Sequence, residues 1–221
     1  MSPEIIRLIV EATGDTLRMV AVAAALGTLL GLPLGVFLAT SGRGELFAAP
    51  WANRALGFFV NATRSTPFII LVVAIIPFTR LIAGTSIGTN AAIVPLTVAA
   101  TPFIARLVEG AIREVDQGLV EAARAFGASP LQIVRKVLIP EALPGIVLGL
   151  TLAVVSLIGF SAMVGAVGGG GLGDLGIRYG YQRFMPDVMA AVVVVLIVLV
   201  QLVQSLGDRL ARRLNKRLRQ A

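Results

Sequence analysis

Four long stretches without an ionisable side chain constrain this chain more than any other feature. They cover Met19–Gly42, Leu81–Ala105, Ala142–Gly173 and Val188–Gly207. About 20 apolar residues in an α-helix cross the hydrocarbon core of a bilayer, so each stretch is long enough for one span. A fifth candidate, 57–79, is interrupted by Arg64, and an arginine near a helix end can extend its charged head to the interface.

The whole chain is therefore expected to be one all-α integral membrane domain, residues 1–221, with five transmembrane helices. Composition agrees, because 57% of the residues are hydrophobic and only 14% are charged, which gives a mean hydropathy of +0.90. Before the first span, Glu4–Arg18 has apolar residues at helical spacing and is expected to lie along the membrane surface. The expected spans are 19–41, 57–79, 86–108, 145–167 and 187–207.

The distribution of basic residues predicts the orientation. With the N-terminus outside, the outer segments carry only Arg7, Arg80, Arg178 and Arg183. The inner segments carry Arg43, Arg54, Arg106, Arg113, Arg124, Arg135, Lys136 and the basic tail 209–219. The positive-inside rule favours this arrangement, N-terminus outside and C-terminus inside, and makes 109–144 a cytoplasmic loop. The net charge of +7 then lies beside a lipid bilayer and does not indicate a nucleic-acid partner.

Several kinds of chemistry are excluded by missing residues. The chain has no cysteine and no histidine, so we expect no disulfide, haem or histidine-based zinc site, and no other metal site. The expected spans hold no Asp or Glu in their interiors, whereas ion-coupled carriers place acids at membrane depth. The phosphate-binding pattern G-x-x-x-x-G-K-[ST] does not occur, so energy for uphill transport has to come from a partner.

Two glycine patterns have different expected roles. Gly27, Gly31 and Gly35 recur every four residues and predict close helix packing, either within the subunit or across a dimer. The segment Gly168–Gly173 satisfies G-x-G-x-x-G, but a dinucleotide site requires a strand before it. We expect a flexible turn at the outer mouth there.

The loop 109–144 has the start and stop signals of two short helices. Asp116 is expected to cap the first, Gly118–Phe126, which Gly127 ends in the left-handed conformation. Ser129 caps the second, with Pro130 at its first position and Gln132 completing a capping box. Pro140 and Pro144 are expected to end the segment.

One spaced motif in this loop resembles a known family. The chain has Glu121-Ala122-Ala123, then Gly127, then Val137-x-Ile139-Pro140, with three and nine residues between the three parts. This pattern resembles the EAA loop of the permease subunits of bacterial ABC importers, with Val137 and Ile139 as conservative departures from the family's Ile and Leu. Further segments resemble the methionine-uptake permeases in particular. These segments are 76–80, 84–88, 91–98, 102–106, 133–144, 161–163 and 165–173. The segment 63–70 resembles the start of the second span in amino-acid permeases of this type.

The resemblance implies a function and a set of partners. Such permeases have the type I ABC importer fold, form homodimers in the bacterial inner membrane, and work by alternating access without being enzymes themselves. Each subunit holds one of two cytoplasmic ATPases, which bind ATP and Mg, so no cofactor is expected on this chain. An extracytoplasmic methionine-binding protein delivers D- or L-methionine.

The resemblance also implies site residues. The segment Gly118–Lys136 corresponds to the coupling helix that contacts the ATPase. Ser161 and Met163 are candidates for the substrate pathway, since Met163 suits a thioether tail. The coupling residues are Glu121, Ala122, Ala123, Arg124, Gly127, Arg135 and Lys136.

Three alternatives stay open on the sequence alone. A permease for another amino acid or small solute is the nearest of them. An ion-coupled carrier or passive channel is disfavoured by the acid-free spans, and a purely structural membrane subunit would leave uptake intact when deleted.

Overall fold

The computed structural model describes residues 2–214, and within this range every regular element is helical. The expected tail residues Lys216, Arg217 and Arg219 lie outside the described residues. Two π-helical segments, Val134–Leu138 and Gly176–Gln182, follow α7 and α9 directly. The α-helices are α1 (Pro3–Thr40), α2 (Pro50–Ser65), α3 (Phe68–Ala74), α4 (Ile76–Ala83), α5 (Thr89–Arg113), α6 (Gln117–Ala125), α7 (Pro130–Ile133), α8 (Ile139–Gly165), α9 (Gly171–Leu175) and α10 (Pro186–Leu214).

Four helices among residues 2–214 are long and apolar enough to cross a membrane. They are α1, α5, the continuous helix Pro130–Gly165 and α10. A fifth crossing is possible only if α2 and α3 form one span, and these two helices are bent by 104° to each other. The structure thus agrees with a protein of up to five spans and shows that the second one is broken.

The helix that contains the first expected span begins much earlier than the charge pattern suggests. Residues 4–18 are not a separate surface helix, because α1 runs without a break from Pro3 to Thr40. Ile9, Ala12, Thr16, Met19 and Ala23 are buried at helical spacing and form one continuous face. A helix of 38 residues is about 57 Å long at 1.5 Å per residue, so α1 projects beyond the hydrocarbon core.

The break between α2 and α3 has a local cause in Thr66 and Pro67. Thr66 is extended, with ψ of 126°, because a residue before proline is disfavoured in the helical region. Pro67 has no N–H to continue the hydrogen-bond ladder. The hydroxyls of Thr63, Ser65 and Thr66 instead donate to the carbonyls of Phe59, Asn61 and Ala62. The Thr66 hydroxyl satisfies the Ala62 carbonyl, because the Thr66 N–H donates to Thr63 instead.

The glycine row of α1 packs against α5 of the same chain. A Cβ at Gly27 would lie 2.7 Å from Ala100 Cβ, and one at Gly31 would lie 2.7 Å from the Thr101 carbonyl oxygen. At Gly35 the same test gives 2.5 Å to the Ala105 carbonyl oxygen. The absence of side chains lets the two backbones approach closely. This decides the question that the sequence left open, since the row is used within the subunit.

The glycine-rich segment after α8 is closely packed and not a loose turn. Gly171 has φ of +73°, and a Cβ there would lie 2.6 Å from Thr16 Oγ1. The next backbone N–H, that of Leu172, donates to the same Thr16 oxygen at 2.9 Å. The element before the segment is the helix α8, so the strand that a dinucleotide site needs is not there. These glycines fold α9 back against α1 and α8.

Candidate functional site

The helix α6 is a short, sharply bounded element between the two long helices that flank the expected loop. Asp116 Oδ1 accepts the Gly118 N–H at 2.8 Å, which confirms the predicted N-terminal cap. At the other end Gly127 has φ of +76°. Its N–H donates to the Arg124 carbonyl at 2.9 Å, and the Ala128 N–H donates to the Ala123 carbonyl at 3.0 Å. This pair of bonds is a Schellman motif, so both ends of α6 are fixed.

The second helix of the loop begins as predicted but does not end as predicted. The capping box is confirmed, because Ser129 Oγ accepts the Gln132 N–H and Gln132 Oε1 accepts the Ser129 N–H. The expectation that Pro140 and Pro144 end the segment is wrong, because the helix continues to Gly165.

A π-helical turn explains how the helix passes Pro140. Over Val134–Leu138 the hydrogen-bond spacing lengthens, and the Ile139 N–H donates to the carbonyl of Val134. The longer spacing accommodates a residue that has no N–H and whose ring disfavours the normal i−4 bond. The second loop helix and the fourth span are consequently one helix.

The buried side of α6 packs into one end of the apolar core. The expected orientation places this end on the cytoplasmic side. Val120 is the buried residue of α6 and belongs to the same apolar cluster as Ile112, Ile133, Val134 and Leu138. Because these residues come from both flanking helices, α6 is tied to α5 and to the start of the Pro130–Gly165 helix. We call residues 116–136, which include α6 and the turn after it, the coupling knuckle.

The outer side of the coupling knuckle presents almost all of the predicted coupling residues. Ala123 is half-buried, and the other six are exposed. This surface combines charged side chains with small ones. It can therefore form ion pairs with a partner and also let the partner approach the backbone closely. The exposed six are Glu121, Ala122, Arg124, Gly127, Arg135 and Lys136.

Sequence reasoning missed the apolar part of this surface. Phe126 is 92% exposed, and Leu119 and Leu131 beside the two caps are also exposed. The position of Phe126 directly before Gly127 was the sequence feature that could have indicated this apolar surface. Phe126 lies outside the expected membrane spans, where solvent-exposed aromatic rings typically mark contact sites for other proteins.

A buried carboxylate at the end of α5 was also missed. Glu109 is 7% exposed, accepts a hydrogen bond from Arg106, and forms an ion pair with Arg113, whose Nη2 lies 3.0 Å from Glu109 Oε1. Arg106 also donates to the Gly57 carbonyl of α2 at 3.0 Å. The group therefore joins α2 to α5 close to the coupling knuckle. Within the described range no set of three or more acidic residues is arranged to hold a metal ion.

The two predicted pathway residues do not converge. Ser161 is 2% exposed, and its hydroxyl donates to the Ile158 carbonyl at 2.7 Å. Met163 is 48% exposed. The residue before Ser161, Phe160, instead faces a cavity of about 330 Å³ at the break between α2 and α3.

The family model of the inner membrane component of binding-protein-dependent transport systems matches residues 31–220 of this chain. This chain belongs to that family. It is accordingly a multi-pass permease of the bacterial inner membrane, and it contributes transport rather than catalysis.

Relatives of this permease carry a consistent name. The "Probable D-methionine transport system permease protein MetI" of Vibrio cholerae serotype O1 is 58% identical over 95% of this chain and 93% of that protein. The D-methionine transport system permease protein MetI of Escherichia coli K12 is 53% identical over 75% of this chain and 76% of that protein.

Solved structures place the permease in a known fold. A chain of the MetNI methionine ABC transporter, described in inward-facing conformations, is 51% identical and superposes with a TM-score of 0.95 over 98% of this chain and 100% of that one. A chain of an amino acid ABC transporter has a TM-score of 0.78 at 21% identity, covering 94% of each chain, and shows the fold alone. The permease thus has the all-α type I ABC importer fold that the EAA loop implied.

Proposed function

We propose that this permease is the membrane-spanning subunit of an ATP-driven importer that takes up methionine, in the D and L forms, by alternating access. The observation that carries the proposal is the agreement along almost the whole chain with a methionine transporter subunit, at 51% identity and a TM-score of 0.95. The acid-free predicted spans support an energy source on another chain, because an ion-coupled carrier would place acids there.

The proposed assembly has two copies of the permease, two cytoplasmic ABC ATPases and an extracytoplasmic methionine-binding protein. ATP and Mg bind to the ATPases, and the permease carries no cofactor of its own. The basic loop and tail favour the N-terminus outside and the C-terminus inside, which puts the coupling knuckle on the side where ATP is available.

In this assembly the coupling knuckle seats in a groove of the ATPase. Glu121 accepts hydrogen bonds from the ATPase, Ala122 and Ala123 permit close approach, and Gly127 turns the backbone. Arg124, Arg135 and Lys136 add electrostatic contacts at the rim, where they favour rapid and specific association more than tight binding.

Phe126 adds an apolar anchor to this contact. Its ring is 92% exposed in the permease alone, and aromatic side chains that enter a partner's pocket carry a large share of binding free energy. A rigid, capped helix tied to α5 and to Pro130–Gly165 passes displacement of the ATPase on to two spans.

The solute crosses the membrane between these spans. Of the two predicted pathway residues, Met163 offers an exposed thioether to the solute, with 48% of its surface accessible. Ser161 contributes by fixing the α8 backbone through its bond to Ile158.

The test is uptake by the purified complex in vesicles. The permease is co-purified with its ATPase, reconstituted, and given the methionine-binding protein with labelled methionine. In complexes whose ATPases face the vesicle lumen, the lumen corresponds to the cytoplasm. We expect these complexes to take up methionine only when the lumen contains ATP. Uptake without ATP would support an ion-coupled carrier or a channel. Uptake of a different solute in preference to methionine would show that the proposed substrate is wrong.

Phe126→Ala tests the coupling contact, with Phe184→Ala as the matched control. Phe184 is 86% exposed and lies between the second π-helical segment and α10, far along the chain from the coupling knuckle. We expect Phe126→Ala to weaken association of the ATPase by about 2 kcal/mol or more, the range of an interface hot spot. The measurement is retention of the ATPase during affinity purification of the permease at graded dilution. Equal retention in both variants would contradict the anchor.

A further inference from the structure

The cavity at the break between α2 and α3 has the lining of a ligand site. It has a volume of about 330 Å³ and is lined by Arg64, by the rings of Phe68, Phe103 and Phe160, and by Thr63 and Thr66. Small-molecule sites are concave, mostly apolar, and contain a few polar groups, and volumes of about 300–1,000 Å³ are typical of them. One cation on an otherwise apolar wall is such an arrangement.

Arg64 is exposed in the last turn of α2, where a cation is favoured by the helix dipole, and the described residues offer it no carboxylate partner. None of the ion pairs among residues 2–214 includes it, and its one aromatic contact is with Phe103, 5.9 Å from the ring centroid. It lies within the expected second span, 57–79, where a charge costs free energy unless it has a partner or a function. By contrast, the Arg106 guanidinium nearby is held by Glu109 and by the Gly57 carbonyl.

We propose that this cavity is a transient binding site for an α-amino acid with an apolar side chain, and that Arg64 binds its carboxylate. The proposal rests on the function proposed above and gives it a site on the permease. The planar guanidinium donates to both oxygens of a carboxylate at once, and such charge-assisted pairs are among the strongest hydrogen bonds.

The remaining walls match the other two parts of an amino acid. The hydroxyl groups of Thr63 and Thr66 donate their hydrogens to the carbonyls of Phe59 and Ala62. Each hydroxyl oxygen therefore retains lone pairs that can accept a hydrogen bond from an ammonium group. Phe68 and Phe160 stack with their centroids 4.4 Å apart and form an apolar wall from α3 to α8. A thioether tail is favoured against such rings.

The position of the cavity connects binding to conformational change. Its lining comes from α2, α3, α5 and α8, so any movement of α8 relative to the α2–α3 break opens or closes it. Because α8 continues from the coupling knuckle, displacement at the ATPase reaches one wall of the cavity directly.

The first test compares Arg64→Gln with Arg54→Gln in the assembled complex. Arg54 lies on the same helix and is also placed over an aromatic ring, 5.5 Å from the centroid of Trp51, but outside the cavity. With methionine-loaded binding protein at saturation, we expect uptake to fall about tenfold or more in Arg64→Gln, because the carboxylate of methionine loses its charged partner. Arg64→Lys restores part of the rate, and Arg54→Gln transports as the wild type does.

A second test needs no substitution in the cavity. A diazirine analogue of methionine is photolysed with the wild-type permease–ATPase complex, and the labelled peptides are identified by mass spectrometry. We expect labels within 63–71, 99–103 or at Phe160, and competition by unlabelled methionine but not by methioninol, which has no carboxylate.

The two tests separate the cavity from the proposed function. If the wild-type complex takes up methionine while Arg64→Gln equals Arg54→Gln, the cavity proposal is overturned and the function stands. Labels confined to other segments overturn it too, even if Arg64→Gln does not assemble. A wild-type complex that imports no amino acid overturns both proposals.

Discussion

At the scale of single residues, Gly127 sets the shape of the coupling knuckle. Nothing lies within 4 Å of a Cβ built there, so space is not the reason for a glycine. The reason is φ of +76°, a conformation that costs other residues about 1–2 kcal/mol and that asparagine tolerates best among them. A larger side chain would therefore fit at position 127, but the residue there has to adopt a positive φ.

The matched substitutions Gly127→Pro and Gly127→Asn follow from this. Proline holds φ near −65° and has no N–H for the Arg124 carbonyl, so we expect ATP-driven uptake to fall roughly tenfold or more. Asparagine reaches the left-handed region and keeps the N–H, so it retains most of the uptake. Both rates are measured in reconstituted vesicles at equal amounts of assembled complex. Full uptake in the proline variant would remove the coupling role from this turn.

Glu109 shows what residue patterns leave undetermined. From the sequence it falls one residue beyond the expected third span and counts as a loop acid, whereas α5 continues to Arg113 and buries it. Its two arginine partners at i−3 and i+4 are visible in the sequence, because residues at those spacings share a helix face. The burial of Glu109 depends on tertiary packing, including that of α2 against α5, which no local pattern reports.

At the scale of elements, the contact between α1 and α5 is the most extensive among residues 2–214. It is made possible by Gly27, Gly31 and Gly35, which bring backbone against backbone. Because lipid chains are as apolar as side chains, close van der Waals packing of this kind stabilises helix pairs within a membrane. The pair forms the scaffold against which α8 and α2 are positioned.

Gly35→Ala and Gly14→Ala test this packing on one helix. The added methyl group at Gly35 meets the Ala105 carbonyl oxygen at 2.5 Å and Val108 Cβ at 2.7 Å, so backbone has to move. We expect a loss of about 1–3 kcal/mol, the usual cost of overpacking. At Gly14 nothing lies within 4 Å, and alanine is favoured there by up to about 1 kcal/mol. The measurement is the thermal unfolding midpoint of the purified complex; a lower midpoint for Gly14→Ala than for Gly35→Ala would contradict this assignment.

At the scale of the whole molecule, one continuous helix joins the proposed coupling site to the proposed solute site. Pro130–Gly165 starts in the coupling knuckle, passes Pro140 after a π-helical turn, and reaches the α2–α3 cavity at Phe160. The sequence has no P-loop and the expected spans hold no acid in their interiors, so we propose that this helix and α5 receive energy from the ATPase.

The proposed orientation can be tested because the chain has no cysteine of its own. A single cysteine at Arg43, exposed between α1 and α2, is expected inside, and one at Phe184 is expected outside. With the N-terminus outside, a membrane-impermeant maleimide should label Phe184→Cys in intact cells and Arg43→Cys only after permeabilisation. The reverse pattern would invert the topology and place the coupling knuckle away from ATP.

The sequence by itself determined the membrane class, the all-helical fold, both N-terminal helix caps of the coupling knuckle and the family. These features depend on local composition and on backbone rules at single residues, so a linear pattern carries them. The tertiary structure decided the partner of the α1 glycines, the break at Pro67, the continuity of the helix through Pro140, the burial of Glu109 and the cavity around Arg64. Each of these depends on which surfaces meet across long distances in the chain, and the free energy of such contacts is set by shape and spacing that no local pattern contains.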